Sequence, residues 1–447
     1  MVIGYFSLFD FGIGRALTKL VAEKIGADEV DSIPAVVWTA LKLMLLLGGI
    51  GAAIVALLSP WLAFRVLEMP DSLREEVKNT LFLLAASLPV VIVTTALRGV
   101  LEAYQRFDIA NRIRIPLGIS MFVMPLVVLP VSSSLVVVVA VLVLVRVLSL
   151  FAHFAACLRV VPGLRGRSGS SSVLTKRLLG FAGWMSVSNL VSPLMVYMDR
   201  FLIGVVVSSA AVAYYTTPYE AVTKLWVVPG ALLGVLFPAF ATLLATDIER
   251  SLVLFRRAVV LVALLLFAPC LVLMVFAPEG LEIWLGRNFA AHSTVVCRWL
   301  IAGVFANSLG QVAFAFIQAR GRPDLTAKLH LIELPIYLLG LWYVLPRFGI
   351  EGVAAVWTLR MLVDAAAMFE VARRLGAGPS LRVSDAVFLV AAIAAFCVAA
   401  WPSAPVWRAV SALVMLSVFG VAAWRVLLER TDRRLALSFL RGRVGRQ

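Results

Sequence analysis

The sequence predicts an all-α polytopic membrane protein with about thirteen visible transmembrane helices, and three observations predict it. Hydrophobic residues make up 62% of the chain and the mean hydropathy is +1.00, far above what a soluble domain of this length carries. Thirteen apolar stretches follow one another from Tyr5 to Leu428, each close to the ~20 helical residues that cross a hydrocarbon core ~30 Å thick. The joints between them are short, and their charge alternates in sign along the chain.

Taken in order, the first stretch begins within four residues of Met1 and contains Asp10, without a basic leader or a small-residue cleavage site. It reads as the second half of a helix, so the expectation is that the first span is missing and the natural chain begins upstream. The next joint, Glu23 to Asp31, is acidic and is the one exception to the alternation. Glu68 to Lys78 and Pro278 to His292 are net acidic, while Arg98 to Arg114, Arg320 to Lys328, Arg373 to Asp385 and the tail from Arg425 are net basic. Between Arg159 and Arg177 the positive charges are Arg159, Arg165, Arg167, Lys176 and Arg177, with no acid, and the flanking joints Pro130 to Ser134 and Val206 to Ala211 carry no charge. The positive-inside rule therefore places the basic joints and the C-terminus in the cytoplasm. The net charge of +15 is topological and does not imply nucleic acid.

An internal repeat organises the chain. Leu101-Glu102-Ala103-Tyr104-Gln105-Arg106-Phe107-Asp108-Ile109 aligns with Ile317-Gln318-Ala319-Arg320-Gly321-Arg322-Pro323-Asp324-Leu325 at an offset of 216 residues, and Ser59-Pro60 with Ala277-Pro278 at 218. The expected organisation is an N-terminal lobe over 1–158, truncated at its start, a basic Ser/Gly-rich cytoplasmic linker over 159–175, and a C-terminal lobe over 176–374. An additional helix pair follows over 385–428, then a basic tail over 429–447. Both copies of the repeated joint are cytoplasmic by charge, so the two lobes run in parallel, a transporter architecture in which access alternates as lobes rock. Six spans in the second lobe against five visible in the first again point to a missing first helix.

Several segments carry a family resemblance. Tyr5-Phe6-Ser7-Leu8-Phe9-Asp10-Phe11-Gly12-Ile13-Gly14-Arg15-Ala16 resembles the second helix of bacterial polysaccharide flippases of the multidrug/oligosaccharidyl-lipid/polysaccharide exporter superfamily. Met198-Asp199-Arg200-Phe201-Leu202-Ile203-Gly204 with Tyr214-Tyr215, and Leu236-Phe237-Pro238, resemble the seventh and eighth. Gln318-Ala319-Arg320-Gly321-Arg322-Pro323 and Gly349-Ile350-Glu351-Gly352-Val353-Ala354 are similar to the joints before the eleventh and twelfth. The resemblance implies fourteen helices, two six-helix lobes plus two, and export of a lipid-linked oligosaccharide across a bacterial cytoplasmic membrane, as in Wzx-type O-antigen flippases. It also implies contact with a polysaccharide polymerase and glycosyltransferases.

Charges inside spans cost roughly 2.5–3.5 kcal/mol each at a helix centre, so those that persist face a wet cavity or a partner. Arg15 and Lys19 share a face of the first visible span; Glu220 and Lys224 occupy the corresponding helix of the second lobe beside Tyr214, Tyr215 and Tyr219. Arg146, Ser149 and His153 form one stripe that should look into the first lobe. Arg15, Lys19, Arg146 and Lys224, with Tyr215, are the expected substrate set, because guanidinium forks and ammonium groups hold the oxygens of a diphosphate. Asp10, Asp199, Glu220 and Glu333 are the expected coupling or gating groups for a cation, H+ or Na+. Arg360 and Asp364 read as a structural pair, and Lys42, Arg98 and Arg298 as side chains snorkelling to the head groups.

The remaining chemistry is bland. Cys157, Cys270, Cys297 and Cys397 are scattered singly, the three histidines form no zinc motif, and no phosphate-binding loop is present, so neither a metal nor another cofactor is expected. A cation-coupled small-molecule exporter of the same fold is the alternative function, disfavoured by the intramembrane arginines and lysines. A membrane polymerase or glycosyltransferase is less favoured still, because the longest outward joint is about fifteen residues, and such acid–base chemistry needs an extramembrane platform. The chain is not expected to be an enzyme.

Overall fold

A computed structural model describes residues 12–66, 71–132, 134–166, 172–377, 391–392, 394–396, 398 and 404–427. Regular structure among them is entirely helical. In chain order the helices are α1 (Ile13–Gly26), α2 (Ile33–Trp61), α3 (Asp71–Ala103), α4 (Phe107–Val128), α5 (Leu135–Val160), α6 (Ser172–Val206), α7 (Ser209–Val222), α8 (Val227–Thr246), α9 (Ile248–Val275), α10 (Ala277–Leu285), α11 (Arg287–Ala319), α12 (Pro323–Ala372) and α13 (Pro405–Ala422).

Ten helical runs are long and apolar enough to cross a bilayer. One of them, α12, supplies two crossings. Its 50 residues break at Gly349 (φ 57°, ψ −149°). A Cβ placed on Gly352 would meet Val344 and one on Gly340 would meet Val356, a register in which the two halves run antiparallel. With α1, twelve of the thirteen apolar stretches are accounted for, and the all-α polytopic expectation holds. The chain is a multi-pass membrane protein. Asp10 and the question of a missing first helix lie outside the described residues, as does most of the stretch from Asp385 to Trp401.

The chain divides into two compact units. Unit 1 comprises Met1–Leu190, Phe237–Ile248 and Ala319–Ala327, and unit 2 comprises Val191–Leu236, Glu249–Gln318 and Lys328–Gln447.

In unit 1, α3 is the central helix, packed against α1, α2 and α5, with α4 against α5. Small residues permit the close approaches: a Cβ on Gly99 of α3 would stand 2.4 Å from Thr18 Oγ1 of α1, and one on Gly48 of α2 would stand 2.9 Å from Pro89 Cα. Without a hydrophobic driving force between helices in lipid, such close contact is a main source of adhesion. Leu84, Leu88 and Val139 form a buried apolar knot between α3 and α5. Opposite, Ile115, Ile119, Phe122 and Leu126 make an exposed stripe along α4, the face a membrane helix offers to acyl chains.

The turns of both copies of the repeated joint, 103–109 and 319–325, fall in unit 1 and share one local fold. Gln105 and Gly321 occupy the same position with positive φ, 57° and 81°. Arg106 forks onto Asp108 through Nε and Nη2, both 3.0 Å, and Arg322 forks onto Asp324 at 2.9 and 3.0 Å. Each arginine is held further into its charged form by its aspartate. The left-handed residue ends one helix, and the fork fixes the start of the next.

Unit 2 is built on aromatic packing. Phe267 of α9 stacks on Phe419 of α13 at 3.7 Å and on Phe396 at 5.3 Å, and meets Phe305 of α11 edge-on. A Cβ on Gly303 would meet the Trp357 ring at 2.4 Å, and Thr358 Oγ1 donates to Trp299 O at 2.7 Å, which seats the second half of α12 on α11. Arg408 is buried on α13; it donates to Val275 O at 3.1 Å and pairs with Glu279 of α10, tying the C-terminal helix to this unit.

Candidate functional site

Three helices of unit 1 contribute one stripe each to a cavity of about 190 Å3. Val91, Thr94, Thr95 and Arg98 come from α3, Arg114 and Leu117 from α4, and Arg146, Ser149 and His153 from α5. The spacings 91/94/95/98, 114/117 and 146/149/153 are those of a single helical face. Three guanidiniums therefore line one hole among apolar helices.

The polar groups are partly committed. Thr94 and Thr95 hydroxyls donate to Val90 O and Val91 O of their own helix, at 2.6 and 3.0 Å. Arg98 Nε lies 3.2 Å from Glu102 Oε1 without hydrogen-bond alignment. Glu102 sits within electrostatic reach of Arg98, Arg114 and Arg15 together, so Arg15 of α1 belongs to the same basic cluster. Among the described residues the pocket wall itself carries three guanidiniums and no carboxylate. His153 is buried at 2% exposure; its Nδ1 is 2.8 Å from Ser149 O, and its Nε2 has no hydrogen-bond partner among the described residues. Such a pocket can hold an anion: fixed guanidiniums in a low-dielectric wall attract it strongly, and their forks accommodate phosphate oxygens.

Unit 2 holds the second cluster. Asp199 on α6 is fully buried and accepts from Tyr215 Oη at 2.7 Å and from the Arg200 N–H at 2.6 Å. Tyr215 stacks with Tyr219, which meets Trp357 edge-on. Arg200 lies over the Tyr219 ring at 4.6 Å and pairs with Glu220 at 3.2 Å. The antiparallel halves of α12 bring Glu333 beside Asp364, with Arg360 in reach of both and over the Tyr337 ring at 5.0 Å. His330 Nε2 is 3.9 Å from Asp364 Oδ1. Both Glu333 oxygens are buried without a hydrogen-bond partner among the described residues.

Of the residues singled out in the sequence, Arg15 and Arg146 share the unit 1 cluster. Lys19, four residues from the exposed Arg15, is buried; it pairs with Glu23 and lies against Gly321, so the two do not present one common face. Tyr215 and Asp199 meet directly in unit 2. Glu220 turns to Arg200, and Lys224 is exposed on a 3-10 turn, Thr223–Trp226, whose tighter pitch spoils the i, i+4 spacing with Glu220. Glu333, which the sequence leaves solitary, has Asp364 as a neighbour because α12 doubles back. Arg98, expected to snorkel, lines the pocket instead, and Arg114 was passed over as a joint residue. The spacing of Arg98 with Thr95 and Val91 was the signal that could have found it. Among the described residues no cluster of histidine, cysteine and carboxylates suited to a metal occurs.

Comparison with known proteins adds to this geometry. A family model described as "Polysaccharide biosynthesis protein" matches residues 2–244. A Shigella flexneri protein named "Putative O-antigen transporter" is 29% identical over 368 residues, covering 81% of this chain and 85% of that protein. Among solved structures, a MATE transporter in complex with MaD3S superposes with a TM-score of 0.75 at 17% identity, covering 84% of this chain and 86% of its own. A MOP superfamily transporter from Pyrococcus furiosus gives 0.72 at 16% identity, covering 83% and 85%. At these identities the structural likeness speaks for the fold.

Proposed function

The chain belongs to the polysaccharide biosynthesis protein family, and from that premise we propose that it is a flippase for a lipid-linked oligosaccharide. The arginine-lined pocket of unit 1 is the observation that carries this reading. An undecaprenyl diphosphate bearing an oligosaccharide offers an anionic head for Arg15, Arg98, Arg114 and Arg146, a prenyl tail that can stay in lipid, and a sugar portion that needs a polar route. Of the remaining candidates, Tyr215 and Lys224 belong to unit 2, and Lys19 would act through its pair with Glu23. The name of the Shigella flexneri relative, a transporter of O-antigen, supports the same substrate class.

The cycle is alternating access in the bacterial cytoplasmic membrane, with the basic joints and the C-terminus in the cytoplasm. No nucleotide is needed. Moving about two negative charges outward, down an interior-negative potential, releases roughly 4.6 kcal/mol per 100 mV, from ~2.3 kcal/mol per charge. Asp199 and the Glu333–Asp364 pair are the groups through which H+ or Na+ would couple, with Glu220 setting Arg200 beside Asp199. Product would pass to a polymerase that receives lipid-linked repeats.

Purified protein in liposomes should move a fluorescent prenyl-diphosphate sugar between leaflets without ATP, and Arg15→Ala or Lys224→Ala should slow it. Rates equal to those of empty liposomes would overturn the reading. Export of an amphiphilic cation dye in the same vesicles would replace it with the cation-exporter alternative.

A further inference from the structure

The unit 1 pocket has one feature that a simple anion site does not need. His153 is nine-tenths buried or more and lines the cavity with Arg146 and Arg98, and its Nε2 has no hydrogen-bond partner among the described residues. Its tautomer follows from its other nitrogen. Ser149 O can only accept, so Nδ1, at 2.8 Å, carries the ring proton. A second proton would place a further positive charge in a pocket already lined by three guanidiniums. Nε2 thus keeps a lone pair that no hydrogen bond among the described residues uses. Glu102 is within electrostatic reach of Arg98, Arg114 and Arg15.

The depth of the pocket is equally informative. Arg98 stands five residues before the end of α3, Arg114 seven after the start of α4, and His153 seven before the end of α5. At 1.5 Å per residue these are ~7–11 Å from helix ends, about one head group deep on the side of the basic joints. The neighbouring face of α4 carries the exposed stripe Ile115, Ile119 and Phe122, on which an acyl or prenyl chain can lie.

We propose that this pocket receives a lipid-borne phosphoryl head that also carries a hydroxyl or amide N–H, with the arginines holding the phosphoryl oxygens and His153 accepting the donor. His153 is then a specificity-determining residue: a sugar-bearing diphosphate satisfies both requirements, and a bare prenyl diphosphate only the first. The same chemistry is offered by a hydroxylated phospholipid head group such as phosphatidylglycerol. The inference rests on the flippase reading for the transported lipid as its source.

The test is ligand binding to the full chain in phosphatidylcholine nanodiscs, with three probes: a prenyl diphosphate, the same lipid bearing an N-acetylhexosamine, and phosphatidylglycerol. The sugar-bearing lipid should bind about 2- to 10-fold more tightly than the bare diphosphate, the worth of one neutral hydrogen bond. His153→Asn keeps a donor near the Nδ1 position and removes the distal acceptor, so it should abolish that preference by weakening the sugar-bearing lipid. His153→Gln, which can place an amide oxygen near the Nε2 position, should retain part of it, and Arg146→Gln should weaken both diphosphates by roughly tenfold or more. If His153→Asn instead weakens phosphatidylglycerol, the pocket serves bulk phospholipid. Wild-type affinities for all three probes in both His153→Asn and Arg146→Gln, with the proteins monodisperse, would overturn the proposal. The liposome assay separates the two claims: binding without translocation contradicts only the flippase, and translocation with unaltered variants contradicts only the pocket.

Discussion

Replacing Arg146 isolates the anion-binding contribution of the unit 1 cluster. Arg146 projects from α5 into a cavity it shares with Arg98 and Arg114, so its removal leaves two lining guanidiniums in place. A hydrogen bond to a charged group is worth ~1.5–3 kcal/mol. Loss of one fork onto a phosphoryl oxygen, partly compensated by its neighbours, should therefore weaken the lipid by roughly 10- to 150-fold in Arg146→Gln. Arg146→Lys keeps a point charge and loses the planar fork, so it should fall between the variant and the wild type. The assay is initial flipping rate against lipid concentration in liposomes, with thermal stability measured in parallel. The effect should appear as a raised half-saturating concentration. A half-saturating concentration within twofold of wild type for Arg146→Gln, in a protein of unchanged stability, would refute the assignment of this pocket to the substrate.

Other expectations follow from the packing and from the second cluster. Gly99→Ala must displace Thr18, whose Oγ1 would stand 2.4 Å from the new Cβ, and overpacking typically costs about 1–3 kcal/mol; a lower melting temperature checks this, and an unchanged one speaks against the α1–α3 contact. Asp199→Asn keeps the shape of the Tyr215 contact and removes the charge, so transport should lose its dependence on an imposed proton or sodium gradient while the protein stays folded. Arg408→Leu strands Glu279 and should loosen α13, seen as faster proteolysis or hydrogen exchange there. Arg106→Ala and Arg322→Ala open exposed forks, which contribute little to stability, and should give a matched pair of small shifts in melting temperature.

The fold was legible in the sequence because membrane helices obey one strong rule, that every backbone polar group be satisfied within a helix. Apolar length and joint charge then suffice to place the spans, and the repeat at Arg106-Phe107-Asp108 and Arg322-Pro323-Asp324 survives as a shared turn and fork. The site was less legible. Helical spacing found Arg146, Ser149 and His153 as one stripe, but pairing across helices is invisible to periodicity. Arg98 and Arg114 lie on other helices, and Glu333 meets Asp364 only because Gly349 turns α12 back on itself. Neighbours are also hidden where the helix changes pitch, as at Thr223–Trp226, or where the partner lies a full helix away, as Arg200 does for Glu220.

The central claim is that a positively charged pocket in an all-helical membrane protein reads the phosphoryl head of a lipid-linked sugar so that it can be carried across. The most direct measurement is translocation of a fluorescent prenyl-diphosphate oligosaccharide by the purified chain in sealed liposomes without ATP, under an imposed membrane potential. Movement that depends on the protein, accelerates when the receiving side is positive and falls with Arg146→Gln is the predicted result. Rates indistinguishable from protein-free vesicles at every potential would contradict it.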